Sequence, residues 1–444
     1  MAWADVDAGR MAGLVAEKDG EACTVVCLDA PAGLQLGVDL KAFALGPRFK
    51  GVKLVPPGLR MLHYRLGGSD GPARAFFFQL GNPEQSGDEK AHRVVALRWD
   101  KALEDFALVD EEDTARITAA VHRLELDANL GAYDPEHYAR WQQLTQFWDE
   151  RVLNVAGLRP DVLVLGAGND HDDNNDGLDT GDDMDLTGDK VSHSSPGGVG
   201  SDYCTPHFTT LPDLARLSRQ MRANGTLSDT KGAHFFKSAS GAWLSPAEIT
   251  ALHLDPTPLL QRLIKVAYHG DYELFLGEIQ LAFILFVYLA SLPGLEFWKT
   301  AVHLVASSAS LRQEKPSWIS LFCNVLAHQV FLLPKDLFQN ELLEDNFLSE
   351  ALSSLLDESE ASAALKPAIV DLRAALRQQY GASLLARLDA FVDEEERAFE
   401  AASLQPASTD LLAQAVEEAT LADGAQEPPQ PKLRKPERMA WMLP

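Results

Sequence analysis

The stretch "VLVLGAGNDHDDNNDGLDTGDD", residues 162–183, admits three readings, and each would impose a different fold. As a strand entering a dinucleotide turn it would need G-x-G-x-x-G opening a helix, so that amides and a helix N-terminus face the pyrophosphate. Gly166 and Gly168 fit, but His171 stands third, and Asp172, Asp173 and Asp176 would repel the phosphates. As a calcium loop it offers Asp172, Asn174, Asp176, Gly177 and Asp183 at the first, third, fifth, sixth and twelfth positions. Asp179 then occupies the usual apolar anchor, and neither flank is an amphipathic helix. The third reading fits best. From about 166 to 200 the chain is Asp, Gly, Asn and Ser with almost nothing to bury, so it is a disordered acidic insertion between two differently patterned halves.

N-terminal to it, the runs "CTVVCL", "LQLGVDL", "GVKLVP", "RMLHYRL", "RAFFFQL" and "HRVVALRW" are short and rich in Val, Phe and Leu, with Gly, Pro and Asp between them. That spacing predicts an antiparallel β-sandwich-like domain. Pro56 and Pro57 mark a strand end or turn, since both cannot sit in a central strand. Flanking helices follow, from Glu111 and from Pro135. Asp134 is the cap of the second, and Tyr138, Trp141, Leu144, Trp148 and Leu153 form its apolar face.

C-terminal to the insertion, a weak helical signal at "LPDLARLSRQMRANG" precedes helical periodicity from Ala233 to about Ser403. Ser245 and Glu248 spell a capping box, and Asp255 is the expected cap of the next helix. Further helices are expected near 271–291, 294–312, 316–333, 335–356, 362–379 and 380–402, and short breaks between them imply an all-α bundle. The expected organisation is a β-rich domain over 1–160, a largely disordered acidic linker over 161–232, a helical domain over 233–405 and a flexible tail over 406–444. The tail ends with Met439, Trp441, Met442 and Leu443, and a terminal Trp gains nothing unless a partner buries it.

With net charge -26, the chain would on average repel nucleic acid, so no direct nucleic-acid contact is expected. The most apolar run, 279–292, is shorter than the roughly 20 residues a membrane span needs and reads as a buried core helix. Cys23 and Cys27 lie in one strand, about 13 Å apart, too far for a disulfide. No Cys pair has zinc spacing, which favours a reducing compartment. No G-x-S-x-G, H-E-x-x-H or Walker loop occurs. His63 and His328 read as core histidines. Neither a catalytic centre, a metal nor a cofactor is expected. "GPRFKGVKLVPPGLR" is the one basic stretch in the β-rich half, with Arg48, Lys50 and Lys53 expected along a turn and Arg60 further on. Those three cations suit an anionic protein partner, and the terminal Met, Trp and Leu suit a groove or a sheet edge.

At "GPRFKGVKLVPPGLRMLHY", with "DAPAGLQLGVD" upstream and "VVALRWD" downstream, the chain resembles the N-terminal domain of the Aar-two splicing-factor family. "LGEIQLAFILFVYLASLPGLEFWKTAVHLV", "WISLFCNVLAHQV", "LPKDLFQNELLEDNFLSEALSSLL" and "GAYDPEHYARWQQLTQFW" are similar to the family as well. The resemblance covers roughly 20–160 and 230–357. It implies a non-enzymatic chaperone of U5 snRNP assembly with a VHS-like helical domain. Such a protein binds the large central U5 protein (the Prp-eight protein) through its RNase-H-like and MPN-like domains. It delays the U5 helicase during pre-mRNA splicing, works in nucleus and cytoplasm, and is released by phosphorylation. Ser194, Ser195 and Thr205 are accessible candidates for that modification, the last two preceding Pro. The other readings are a generic helical peptide-binding adaptor and a calcium-responsive binding protein.

Overall fold

A computed structural model describes residues 22–66, 71–81, 92–166, 203–214, 232–238, 240–333, 347–356 and 362–390. The Asp-rich run 172–183, Ser194, Ser195 and the tail from 406 onward lie outside the described residues.

Two sheets form the N-terminal region. One runs β8 (Asp105–Leu108), β7 (Val94–Asp100), β1 (Cys23–Leu28), β4 (Gly51–Val55), β9 (Leu130–Ala132). The other runs β11 (Tyr203–Cys204), β10 (Leu163–Leu165), β6 (Ala73–Leu80), β5 (Gly58–Arg65), β2 (Gln35–Val38), β3 (Lys41–Ala44). Most neighbours are antiparallel, as the short strands predict, while β1 with β7, β4 with β9 and β10 with β11 pair in parallel. Pro56 and Pro57 fall between β4 and β5, where no ladder bond is lost. Between the sheets lie Val25, Cys27, Leu36, Val52, Leu62, Tyr64, Phe76, Phe78 and Leu97.

The second sheet is buried on both faces. Along β6, Phe76 and Phe78 point into the sandwich, while Ala75 and Phe77 join Met61 in the core of the helical region. Alternate residues of a strand face opposite ways, so the unbroken run "AFFFQL" signals two apolar faces. The outer face of the first sheet, through Val26, Val94 and Ala96, is covered by Ile117 and Val121 of α1 (Glu111–His122).

Further helices among the described residues are α2 (Pro135–Leu144), α3 (Glu150–Val155), α4 (Pro246–Leu254), α5 (Thr257–Ala267), α6 (Tyr272–Leu289), α7 (Leu292–Ala306), α8 (Ala309–Glu314), α9 (Pro316–Val330), α10 (Phe347–Leu356) and α11 (Lys366–Tyr380), and residues 382–390 are helical as well. Local signals set their starts. Asp134 accepts from the Glu136 amide with Pro135 at the first helical position, and the Ser245–Glu248 capping box forms in both directions. Pro256, not Asp255, is the cap of α5; the Asp255 carboxylate instead accepts from the Thr257 amide and hydroxyl and from the Ser310 amide. The helix expected over 294–312 is two, α7 and α8, because the backbone leaves the helical region at Ser308 (ψ 79°), whose hydroxyl donates to the Leu304 carbonyl at 2.8 Å.

α6 is the central strut, long and apolar enough by composition to cross a membrane and here buried from residue 274 to 285 by its neighbours. Gly277 lets α3 and the turn before it approach; a Cβ there would stand 2.5 Å from both the Phe147 carbonyl oxygen and the Val152 methyl. Its C-terminal end answers the dinucleotide question. A Cβ on Gly166 would lie 2.2 Å from the Leu289 carbonyl oxygen, so this glycine serves helix–strand contact. The ends of the expected linker are thus built in. Val164 and Leu211 are buried, His207 donates its amide to the Ala156 carbonyl, and Phe208 stacks on Phe297.

Candidate protein-binding surface

The basic stretch lies where both sheets come to an edge. β2 and β3 form a hairpin through Asp39 and Leu40, and Asp39 takes the left-handed backbone (φ 54°) that tight hairpin loops require. Its carboxylate is sealed from water. It accepts from Arg60 Nη1 at 3.1 Å, the Met61 amide at 3.1 Å and the Tyr133 hydroxyl at 2.7 Å. Burial pushes the Asp39 carboxyl up, and Arg60, then the Tyr133 and Met61 donors, pull it back. His63 donates Nε2–H to the Asp39 carbonyl at 3.0 Å and meets Tyr288 of α6 with the two rings tilted at 56°; burial lowers its pKa from 6.5 to about 4, so the ring is neutral. Arg60, which sequence proximity places in the basic run, is therefore a buried structural cation, its plane over Tyr138.

This cluster fixes the hairpin, and the hairpin carries the surface. Lys41 pairs with Asp134 at 2.8 Å, which holds the Asp134 carboxyl below its ordinary range and ties β3 to the start of α2. Lys53 pairs with Asp127 at 2.6 Å. Arg48 and Lys50 differ: both are exposed, and among the described residues neither makes an ion pair. Beneath them Phe43 and Phe49 meet with ring centroids 5.8 Å apart, over Gly131 of β9. Leu54 lies on β4, the strand that follows the basic connection. It is 37 % exposed at a bulge where Lys53 and Leu54 together oppose Thr24, and its φ is +63°. Of the cations read from sequence, Arg48 and Lys50 are exposed and without an ion pair among the described residues, and Lys53 is tied down. Met439, Trp441, Met442 and Leu443 lie outside the described residues. Phe43, Phe49 and Leu54 escape sequence reasoning, because "KAFA" has no β-branched residue and the turn residues Asp39 and Leu40 are not the Asn-Gly or Asp-Gly of a tight hairpin.

Nothing in this arrangement resembles a reacting centre. Cys23 and Cys27 are buried thiols pushed up to about 11 and about 12, all four cysteines are free, and His63 is locked. Among the described residues no group of three or more His, Cys, Asp or Glu could hold a metal ion. A rigid corner with two free cations and an exposed leucine is suited to contact another protein.

Family models match both halves: the AAR2 N-terminal domain over residues 21–156 and the AAR2 C-terminal repeat region over 236–384. The chain is 28% identical over 340 residues to the human protein named AAR2 homolog, covering 75% of this chain and 81% of that protein. The mouse protein of the same name is 27% identical over 338 residues, with the same coverage. The Caenorhabditis elegans protein of that name is 25% identical over 371 residues, covering 80% of this chain and 92% of that protein.

Proposed function

The chain belongs to the AAR2 family, and on that premise we propose that it is a non-enzymatic assembly factor of the U5 snRNP in pre-mRNA splicing. It binds the large central U5 protein, the Prp-eight protein, through its RNase-H-like and MPN-like domains, delays the helicase, and works in nucleus and cytoplasm. Phosphorylation releases it, with Thr205 the candidate that lies among the described residues. The observation that carries the reading is the corner itself: on a chain of net charge -26, two exposed cations with no ion pair among the described residues follow a hairpin fixed by a buried ion pair. Exposed charges steer encounter and set partner choice, while a preorganised surface lowers the ordering cost of binding.

The test is calorimetric titration of the full chain with the RNase-H-like domain of the Prp-eight protein. Wild type binds; the double variant Arg48→Glu/Lys50→Glu loses affinity by about tenfold or more at low salt, with the difference shrinking as salt rises. Trp441→Ala weakens binding by about 2 kcal/mol, roughly thirtyfold, while the urea midpoint stays fixed. Absence of binding by wild type to either U5 domain would overturn the proposal.

A further inference from the structure

Among the described residues β3 is the last strand of its sheet, and one of its edges has no neighbour. Which groups lie on that edge follows from the ladder. Leu45 donates its amide to the Leu34 carbonyl at 2.9 Å, and the register sets Phe43 opposite Leu36 and Lys41 opposite Val38. Hydrogen-bonded and non-hydrogen-bonded pairs alternate in an antiparallel ladder. The amides and carbonyls of Lys41 and Phe43 therefore face β2, and those of Ala42 and Ala44 face outward. Both alanines are exposed, and among the described residues no backbone hydrogen bond outside the ladder reaches them.

Soluble proteins blunt such edges with lysines, prolines, bulges or covering loops. β3 has no proline, its one lysine is held by Asp134, and its outward residues are the smallest that keep a side chain. Where β3 ends, the chain passes directly into the connection that carries Arg48 and Lys50. We infer that this edge receives an extended acidic segment of a partner protein as an added strand, its backbone pairing with Ala42 and Ala44 and its carboxylates meeting Arg48 and Lys50. Charge decides the occupant: a basic segment would be repelled by Arg48 and Lys50, and an acidic one is attracted. The inference rests on reading this corner as the partner-binding surface, whichever partner it is.

The test uses the full chain and a fluorescein-labelled peptide of alternating Thr and Val flanked by Glu, followed by anisotropy at low salt. Wild type binds saturably, and a Lys-flanked peptide of the same core does not. Ala42→Pro and Ala44→Pro each lower affinity at least tenfold, since each removes an outward N–H without touching the β2 ladder. Two peptides N-methylated on opposite edges supply a second measurement that needs no variant: one binds and the other does not. Equal binding of the two methylated peptides, or no binding of the acidic peptide to wild type, overturns the inference. So does a concentration-dependent dimer abolished by Ala44→Pro, which would assign the edge to a second copy. The RNase-H-like domain is titrated in parallel. If that domain binds wild type and loses affinity to Arg48→Glu/Lys50→Glu while the peptide fails, strand addition is wrong and the assembly-factor reading stands.

Discussion

Asp39 and Glu278 are both fully sealed from water, one in the sandwich and one in the middle of α6, yet they hold different kinds of structure. Asp39 is matched by the buried Arg60 of its own region, and it fixes a local turn beside a sheet edge that has no neighbour among the described residues. Glu278 accepts from the Tyr268 hydroxyl at 2.5 Å and from the Thr209 amide at 2.8 Å, so it fastens the segment 203–214 to the helical core. Gln280, two residues on, does the same for the turn before α3, accepting from the Phe147 amide and donating to the Gln143 carbonyl. A buried polar group is tolerated only where partners satisfy it, so each of these positions registers one element against another. The difference is in what lies beside them. Around Glu278 every face is covered; beside Asp39 the chain leaves an edge, two cations and a leucine in solvent.

Breaking the Asp39 cluster has the largest expected effect. Arg60→Ala leaves a carboxylate buried without its counter-charge and is expected to cost about 3–5 kcal/mol in urea unfolding. A loss below about 1 kcal/mol would show that Tyr133 and Met61 suffice and that the ion pair does not fix the hairpin. Acid attacks the same cluster from the other side. His63 titrates near 6.5 when unfolded and near 4 when folded, so the unfolded chain binds the proton first. Its contribution is complete above pH 6.5 and is lost as pH falls toward 4, by about 3 kcal/mol in all. Against wild type, His63→Gln should flatten the fall of unfolding free energy over that window; parallel curves would place the acid sensitivity elsewhere.

Glu278→Gln tests the other half of the comparison more gently. The amide keeps one acceptor but offers a donor where the carboxylate had none, at a cost of about 1–3 kcal/mol. The loss should fall on the held segment, so limited proteolysis near 203–214 should accelerate more than global unfolding does. Uniform acceleration across the chain would mean that the segment and the core melt as one.

Much of this was readable from local signals, because those signals act over a few residues. The cap at Asp134, the capping box at Ser245 and the break at Pro56–Pro57 each depend on neighbours in sequence. β3 was not readable as a strand: "KAFA" has no β-branched residue, and its place at an edge is a property of pairing. Arg60 reads as one more surface cation because it follows Lys53 closely, and only its meeting with Asp39 across the hairpin removes it from the surface. The double burial of β6 is visible as an unbroken apolar run, but the helices that cover its second face lie far along the chain. Of the site, the charges were legible and their pairing was not, since whether Lys53 finds Asp127 while Lys50 makes no ion pair among the described residues is decided by the fold.

The smallest expected effect sits at Leu54, on the open side of the comparison. A leucine in the left-handed region costs roughly 1–2 kcal/mol, a strain that alanine keeps and glycine removes. The side chain is partly in water, so shortening it gives up little packing in either variant. Leu54→Gly should therefore be more stable than Leu54→Ala by about 1 kcal/mol, even though glycine gains more freedom on unfolding. In a relaxed strand the order would reverse, so urea midpoints of the two variants read the backbone directly. If alanine proves the more stable, the bulge at Thr24 is not strained, and Leu54 owes its exposure to the turn at Pro56 alone.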